Sequence, residues 1–242
     1  MLAPFWIPHL SGPRSKRRGI IRFNRSGMTD HSHLLLSWLV LLLAGCGGDD
    51  YRSIRNLRSA GEAIVCFGDS LTEGVGANAG EDYPSELSRQ LGFPIVNAGH
   101  RGDTTAQALE RLSDSVLHRN PRLVIVLIGG NDFLRQLPRS ESKKNLAEIV
   151  HRIQQQGAMV AIAGIRLGVF TDEFAAIYED TANEFGALYI PQVMKGILSE
   201  AKLKSDAIHP NGAGYRLIAE RITEKVRPLL READRLTGRS GF

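Results

Sequence analysis

Short apolar runs at 63–67, 95–98, 123–128, 159–165 and 187–190 recur along the chain, each separated from the next by a longer amphipathic stretch. Runs this brief and this continuous suit strands buried on both faces, and such strands need helices above and below them. The spacing predicts helices over 83–91, 104–117, 142–156, 172–185 and 212–230. Strand and helix in strict alternation imply a five-stranded parallel sheet inside a three-layer α/β/α domain. Local signals agree: Asp103 is placed to cap the second helix, Asn120-Pro121 breaks the chain before the third strand, and Gly157 and Gly186 stop helices where a left-handed residue is needed.

The first 45 residues have a different composition. Arg14, Lys16, Arg17, Arg18, Arg22 and Arg25 precede an apolar run over 34–44 that ends in Leu43-Ala44-Gly45-Cys46. About a dozen apolar residues match the core of an export signal and fall short of a bilayer span. The ending resembles a bacterial lipobox, in which the signal is cut before a cysteine that is then acylated, so Cys46 is the expected lipidation site. A plain secretory signal with an incidental cysteine is the alternative. A start at Met28 would leave 29–33 as a leader without Lys or Arg. The polar stretch GGDDYRSIRNLRS, 47–59, shows no apolar periodicity and is expected to be a tether, which sets domain boundaries at 1–45, 46–59 and 60–242.

Charge follows this division. The chain carries 30 Lys and Arg against 26 Asp and Glu; without residues 1–45, which hold six of the former and one of the latter, 24 face 25. The basic balance therefore belongs to the leader, and a nearly neutral domain argues against nucleic acid as partner. The two cysteines, Cys46 and Cys66, give no disulfide framework if the first is lipidated. Cys66 lies in an apolar run and is expected to be a buried, inert thiol.

Ligands of parallel α/β sheets bind beyond the carboxyl ends of the strands. The loops there are unusual: Gly68-Asp69-Ser70-Leu71 after the first run, Gly99-His100-Arg101-Gly102-Asp103-Thr104 after the second, Gly129-Gly130-Asn131-Asp132 after the third, and Asp206-Ala207-Ile208-His209-Pro210 before the last helix. A lone serine in such a place often only caps a helix. A serine nucleophile needs more: a base, a group that orients the base, and donors for a developing oxyanion. Of the four histidines beyond the leader, His118 and His151 fall on helical stretches and read as surface residues, while His100 has no carboxylate close before it. His209 follows Asp206 by three residues, a spacing that lets the carboxylate hold one imidazole nitrogen while the other faces Ser70. The backbone N–H groups of Ser70 and Gly102 and the side-chain amide of Asn131 are candidate oxyanion donors at the ends of three successive strands. Alone, each glycine is an ordinary turn and Asn131 a loop residue.

These four segments, in this order, resemble the sequence blocks of the SGNH hydrolases, also called GDSL lipases and esterases. The stretches NAGHRGDTT and IGGNDFLRQLP are most similar to the branch of bacterial arylesterases and multifunctional thioesterase and lysophospholipase enzymes. The resemblance runs from about 63 to 230 and implies a flavodoxin-like sheet and a serine hydrolase of carboxylic esters and thioesters. It implies Ser70 as nucleophile and first oxyanion donor, Gly102 and Asn131 as the further donors, His209 as base, Asp206 as its partner, and Asp69 and Asp132 as supporting residues. The implied partners are a small ester or lipid substrate and, through Cys46, a membrane surface.

Other readings fit less well. The glycines from Gly74 to Gly80 do not keep the Gly-x-Gly-x-x-Gly spacing of a dinucleotide loop, and Thr72 stands where the nucleophile elbow of α/β-hydrolases needs its second glycine. No His, Cys or carboxylate cluster suggests a metal, and no cofactor is expected. The same site could serve acyl transfer or deacetylation of an envelope glycan, and a noncatalytic envelope-binding lipoprotein is a reading of another class. Loops 134–140 and 164–171, with Phe133, Leu134, Leu167, Val169 and Phe170, are where an acyl chain would find room.

Overall fold

A computed structural model describes residues 51–166 and 172–241. Among them one five-stranded sheet forms, with β1 (Ala63–Gly68), β2 (Ile95–Gly99), β3 (Pro121–Leu127), β4 (Met159–Ala163) and β5 (Leu188–Ile190) in the order β2-β1-β3-β4-β5. All pairings are parallel. Every residue of β3 and β4 is buried, as continuous apolar runs require when helices cover both faces. The strand order reverses between β1 and β3, which makes the carboxyl ends of those two strands the natural place for a ligand.

The helices are α1 (Ser70–Glu73), α2 (Tyr83–Leu91), α3 (Thr105–Glu110), α4 (Leu112–Ser115), α5 (Gly130–Leu134), α6 (Arg139–Gln155), α7 (Asp172–Phe185) and α8 (Gly212–Thr237). Helix α6 buries Leu146, Ile149, Val150 and Ile153, one stripe at helical spacing. Helix α8 does the same with Ile218, Ile222, Val226 and Leu229, and continues through Pro228 seven residues past the expected end at 230. Gly157 and Gly186 take the left-handed conformation expected of them, at φ +79° and +59°.

Three expectations need correction. The helix predicted over 104–117 is broken at Arg111 into α3 and α4, because the Arg111 side chain turns back toward the sheet and bonds the carbonyls of Ala98 and Gly68. Asp103 does not cap it. Thr104 does, in a reciprocal capping box with Gln107, which leaves the Asp103 carboxylate for other partners. The segment read as a tether is folded from Tyr51: Asn56 donates to the carbonyls of Gln154 and Ala158, and the Arg55 N–H to that of Gly186. Tyr51, Ile54 and Leu57 lie three apart, the period of a 3₁₀ turn, and all three meet the core. The rest of that segment, with residues 1–45 and Cys46, lies outside the described residues.

Candidate active site

Ser70 is the first residue of α1, a helix of a single turn set directly on the end of β1. Asp69 caps it, its Oδ1 accepting from the Leu71 N–H at 3.0 Å, and Gly74 ends it at φ +97°. The helix can sit so low because of Gly99 at the end of β2: a Cβ there would lie 2.1 Å from the Glu73 nitrogen. Cap and close approach together hold the Ser70 hydroxyl at the mouth of the sheet. No described residue accepts a hydrogen bond from the Ser70 N–H.

His209 comes to Ser70 from the other end of the chain. Its Nε2 is 3.0 Å from Ser70 Oγ, and its Nδ1 is 2.8 Å from Asp206 Oδ2. The other oxygen of Asp206 accepts from the N–H groups of Ile208 and His209, each at 2.8 Å, so one carboxylate shapes the turn and orients the ring. Those backbone donors, with His209 beside it, hold the Asp206 carboxyl down at about 2 although the side chain is half exposed. The turn is fixed to the body by Asn211, which caps α8, and by Tyr215, whose hydroxyl donates to the Val75 carbonyl just beyond α1. Gly76 closes the gap between the two loops: a Cβ there would meet Ser205 Oγ at 2.1 Å.

Asn131, beyond β3, lines the depression in front of Ser70, and Gly102 belongs to the loop between β2 and α3. The loop between β2 and α3 is a short turn in which the N–H groups of His100, Arg101 and Asp103 bond Gly68 O, Glu73 Oε2 and His100 O. The Gly102 N–H has no acceptor among the described residues. Gly102 takes φ +84°, a conformation that suits glycine. Asn131 lies in α5, and its Nδ2 donates one proton to the Asp103 carbonyl at 2.9 Å, leaving the second for a ligand. The site thus offers a hydroxyl in contact with an imidazole, an oriented carboxylate behind the imidazole, and the Asn131 amide in the same depression.

Behind it lie two buried acids. Asp132 accepts from the Thr105 N–H at 2.8 Å, the Thr105 hydroxyl at 2.5 Å and the Ser142 hydroxyl at 3.0 Å, pinning α5 to α3 and α6. Asp69 has less to compensate its burial, which, with Asp103 and Asp132 nearby, pushes its carboxyl up to about 7. Cys66 is fully buried, and burial pushes its thiol up, as suits an inert core residue. His100 is largely exposed and its Nδ1 meets Asp103, a carboxylate that follows it in the chain. His118 is exposed near Asp114, and His151 packs edge-on against Phe185. Among the described residues no three His, Cys, Asp or Glu side chains gather as metal ligands.

Four charged residues around the Gly102 loop escaped the sequence reading. Glu73 pairs with Arg101. Arg111 Nε meets Asp103 at 2.5 Å. Arg135 Nη2 donates to the Gly102 carbonyl at 2.7 Å. Only Arg135 carried a signal: it is four residues past Asn131, on the same helical face. Leu134 and Ile208, both exposed, line the depression in front of Ser70, while Phe133 turns inward against Phe174. Leu167, Val169 and Phe170 lie outside the described residues.

A model of the GDSL-like lipase/acylhydrolase family matches residues 66–217. The chain is 31% identical over 180 residues to the Escherichia coli K12 protein thioesterase 1/protease 1/lysophospholipase L1, spanning 71% of this chain and 86% of that one. It is 27% identical over 201 residues to esterase TesA of Pseudomonas aeruginosa, spanning 78% and 98%. A crystal structure of TesA, 26% identical, aligns with a TM-score of 0.65 over 69% of this chain and 99% of that chain. By the extent of the family match and the agreement of the fold, this chain belongs to the GDSL-like lipase/acylhydrolase family and is a carboxylic ester hydrolase.

Proposed function

We propose that this enzyme works through an acyl-serine intermediate on Ser70, with His209 as the proton carrier and Asp206 as its orienting partner. The observation that carries the reading is the unbroken contact from Asp206 Oδ2 through the imidazole to Ser70 Oγ, at 2.8 Å and 3.0 Å. With Nδ1–H donating to Asp206, Nε2 is free to accept the serine proton as Oγ attacks the acyl carbonyl. The carbonyl oxygen becomes an oxyanion facing the N–H groups of Ser70 and Gly102 and the second amide proton of Asn131. Collapse expels the alcohol or thiol, which takes its proton from His209. Water then attacks the acyl-serine, giving its own proton to His209, and the carboxylic acid leaves as Ser70 recovers its hydrogen.

The names of the relatives point to thioesters, lysophospholipids and simple esters as the substrate classes. The apolar edges contributed by Leu134 and Ile208 beside Ser70 support an acyl chain on that side. In the proposed setting, the export signal is removed and the lipid on Cys46 holds the enzyme at a membrane surface. Labelled palmitate should appear on the protein and be lost with Cys46→Ala.

Fluorophosphonate labelling tests the mechanism. An adduct on Ser70, absent in Ser70→Ala together with nitrophenyl ester turnover, is the expected result; wild-type turnover by Ser70→Ala would overturn it. Nitrophenyl esters from acetyl to palmitoyl, compared with an acyl-CoA and a lysophospholipid, would then rank the substrates.

A further inference from the structure

We propose that Glu73 is a positioning residue for the oxyanion site, a strut that sets the distance between the Ser70 and Gly102 N–H groups. The inference rests on the reading of those two groups as oxyanion donors, and it adds a residue that touches neither substrate nor nucleophile.

The two donors sit on different segments. Ser70 opens α1, and Gly102 belongs to the loop between β2 and α3. Donors to one oxygen must hold their spacing to within about half an ångström for the full rate. Glu73 is the last residue of α1, and its carboxylate crosses to the loop: Oε2 accepts from the Arg101 N–H at 2.5 Å, and Oε1 takes the Arg101 Nε at 2.7 Å. The bonded amide is the one immediately before the Gly102 N–H. On the far side of the same glycine, Arg135 holds the Gly102 carbonyl. With His100 and Asp103 engaged elsewhere, the Gly102 N–H is left presented between two fixed points.

A role in stability alone fits poorly. The Arg101 side chain is 71% exposed and that of Glu73 28%, and ion pairs so open to water add little to folding. The Arg101 pairing holds the Glu73 carboxyl below its ordinary range, so the acceptor stays charged through neutral pH. What the arrangement secures is a backbone direction beside the reacting centre.

The test is Glu73→Ala and Glu73→Gln in the full chain, assayed on a nitrophenyl ester beside thermal unfolding, with Ser70→Ala as control. Glu73→Ala should lower kcat about tenfold, leave KM within about twofold and shift Tm by less than about 2 °C. Glu73→Gln keeps a carbonyl oxygen for the Arg101 N–H and should recover most of kcat. Wild-type kcat in Glu73→Ala beside an inactive Ser70→Ala overturns the strut alone, as does equal impairment of the two Glu73 variants or a kcat loss that tracks a fall in Tm. Wild-type turnover by Ser70→Ala overturns the nucleophile reading and the strut with it.

Discussion

Asn131 gives one of its two amide protons to the carbonyl of Asp103, 2.9 Å away, and so fixes the direction of the other. A side chain held in this way has lost its rotational freedom before any ester arrives, and that is the condition under which a single donor is worth most to a developing charge. Asn131→Ala should reduce kcat by about a hundredfold or more with little change in KM. Steady-state kinetics with a short-chain nitrophenyl ester would show it.

Asp206→Asn tests the orienting role. The amide can still accept from the Ile208 and His209 N–H groups, so the turn should keep its shape, but the negative partner of the imidazole is gone. Turnover should drop by at least about a hundredfold while circular dichroism stays unchanged. The parent carboxyl, held at about 2, is charged throughout the working range. Its contribution to folding is complete above the ordinary carboxylate value and fades only as pH falls toward 2.

Asp69 has the opposite sign. Its carboxyl is raised to about 7 by burial, so the folded protein binds a proton that the unfolded chain has released between roughly pH 4 and 7. Stability is full below the ordinary carboxylate value, is lost as pH climbs through that window, and is flat above it. Asp69→Asn keeps an oxygen to cap the Leu71 N–H without the charge. Its Tm should match that of the parent near pH 4 and exceed it by at least about 2 °C at pH 8, as measured by calorimetry at both values.

Gly99→Ala tests the seat of the nucleophile. The added methyl would fall 2.1 Å from the Glu73 nitrogen, a backbone atom that can yield only if α1 moves. A loss of about 1–3 kcal/mol in stability is expected, with at least a tenfold loss of turnover. Denaturant unfolding and ester hydrolysis on the same preparation would report the two effects.

The sheet could be read from the sequence because continuous apolar runs such as those of β3 and β4 have few other uses in a chain of this length. The loops after the first three strands could be located for the same reason, and with them Ser70, Gly102 and Asn131, while Asp206 and His209 stood out by their spacing just before the last helix. Short-range punctuation was less legible. Helices α1 and α5, of four and five residues, are too brief for periodicity to register. The break at Arg111 depends on a guanidinium reaching Gly68, 43 positions back, which no local pattern encodes. Tyr51, Ile54 and Leu57 were hidden among charged neighbours because their period is three and not 3.6. Glu73, Arg101 and Arg135 look like ordinary surface charges until the loop they hold is seen in space.

The turn from Ser205 to Pro210 is knitted by its own bonds, from Ser205 N–H to His209 O and from the Ile208 and His209 amides to Asp206. Imidazole and carboxylate therefore belong to one internally bonded unit. The distance from this turn to the serine oxygen is thereby set apart from the alignment of imidazole on carboxylate, which the turn keeps within itself.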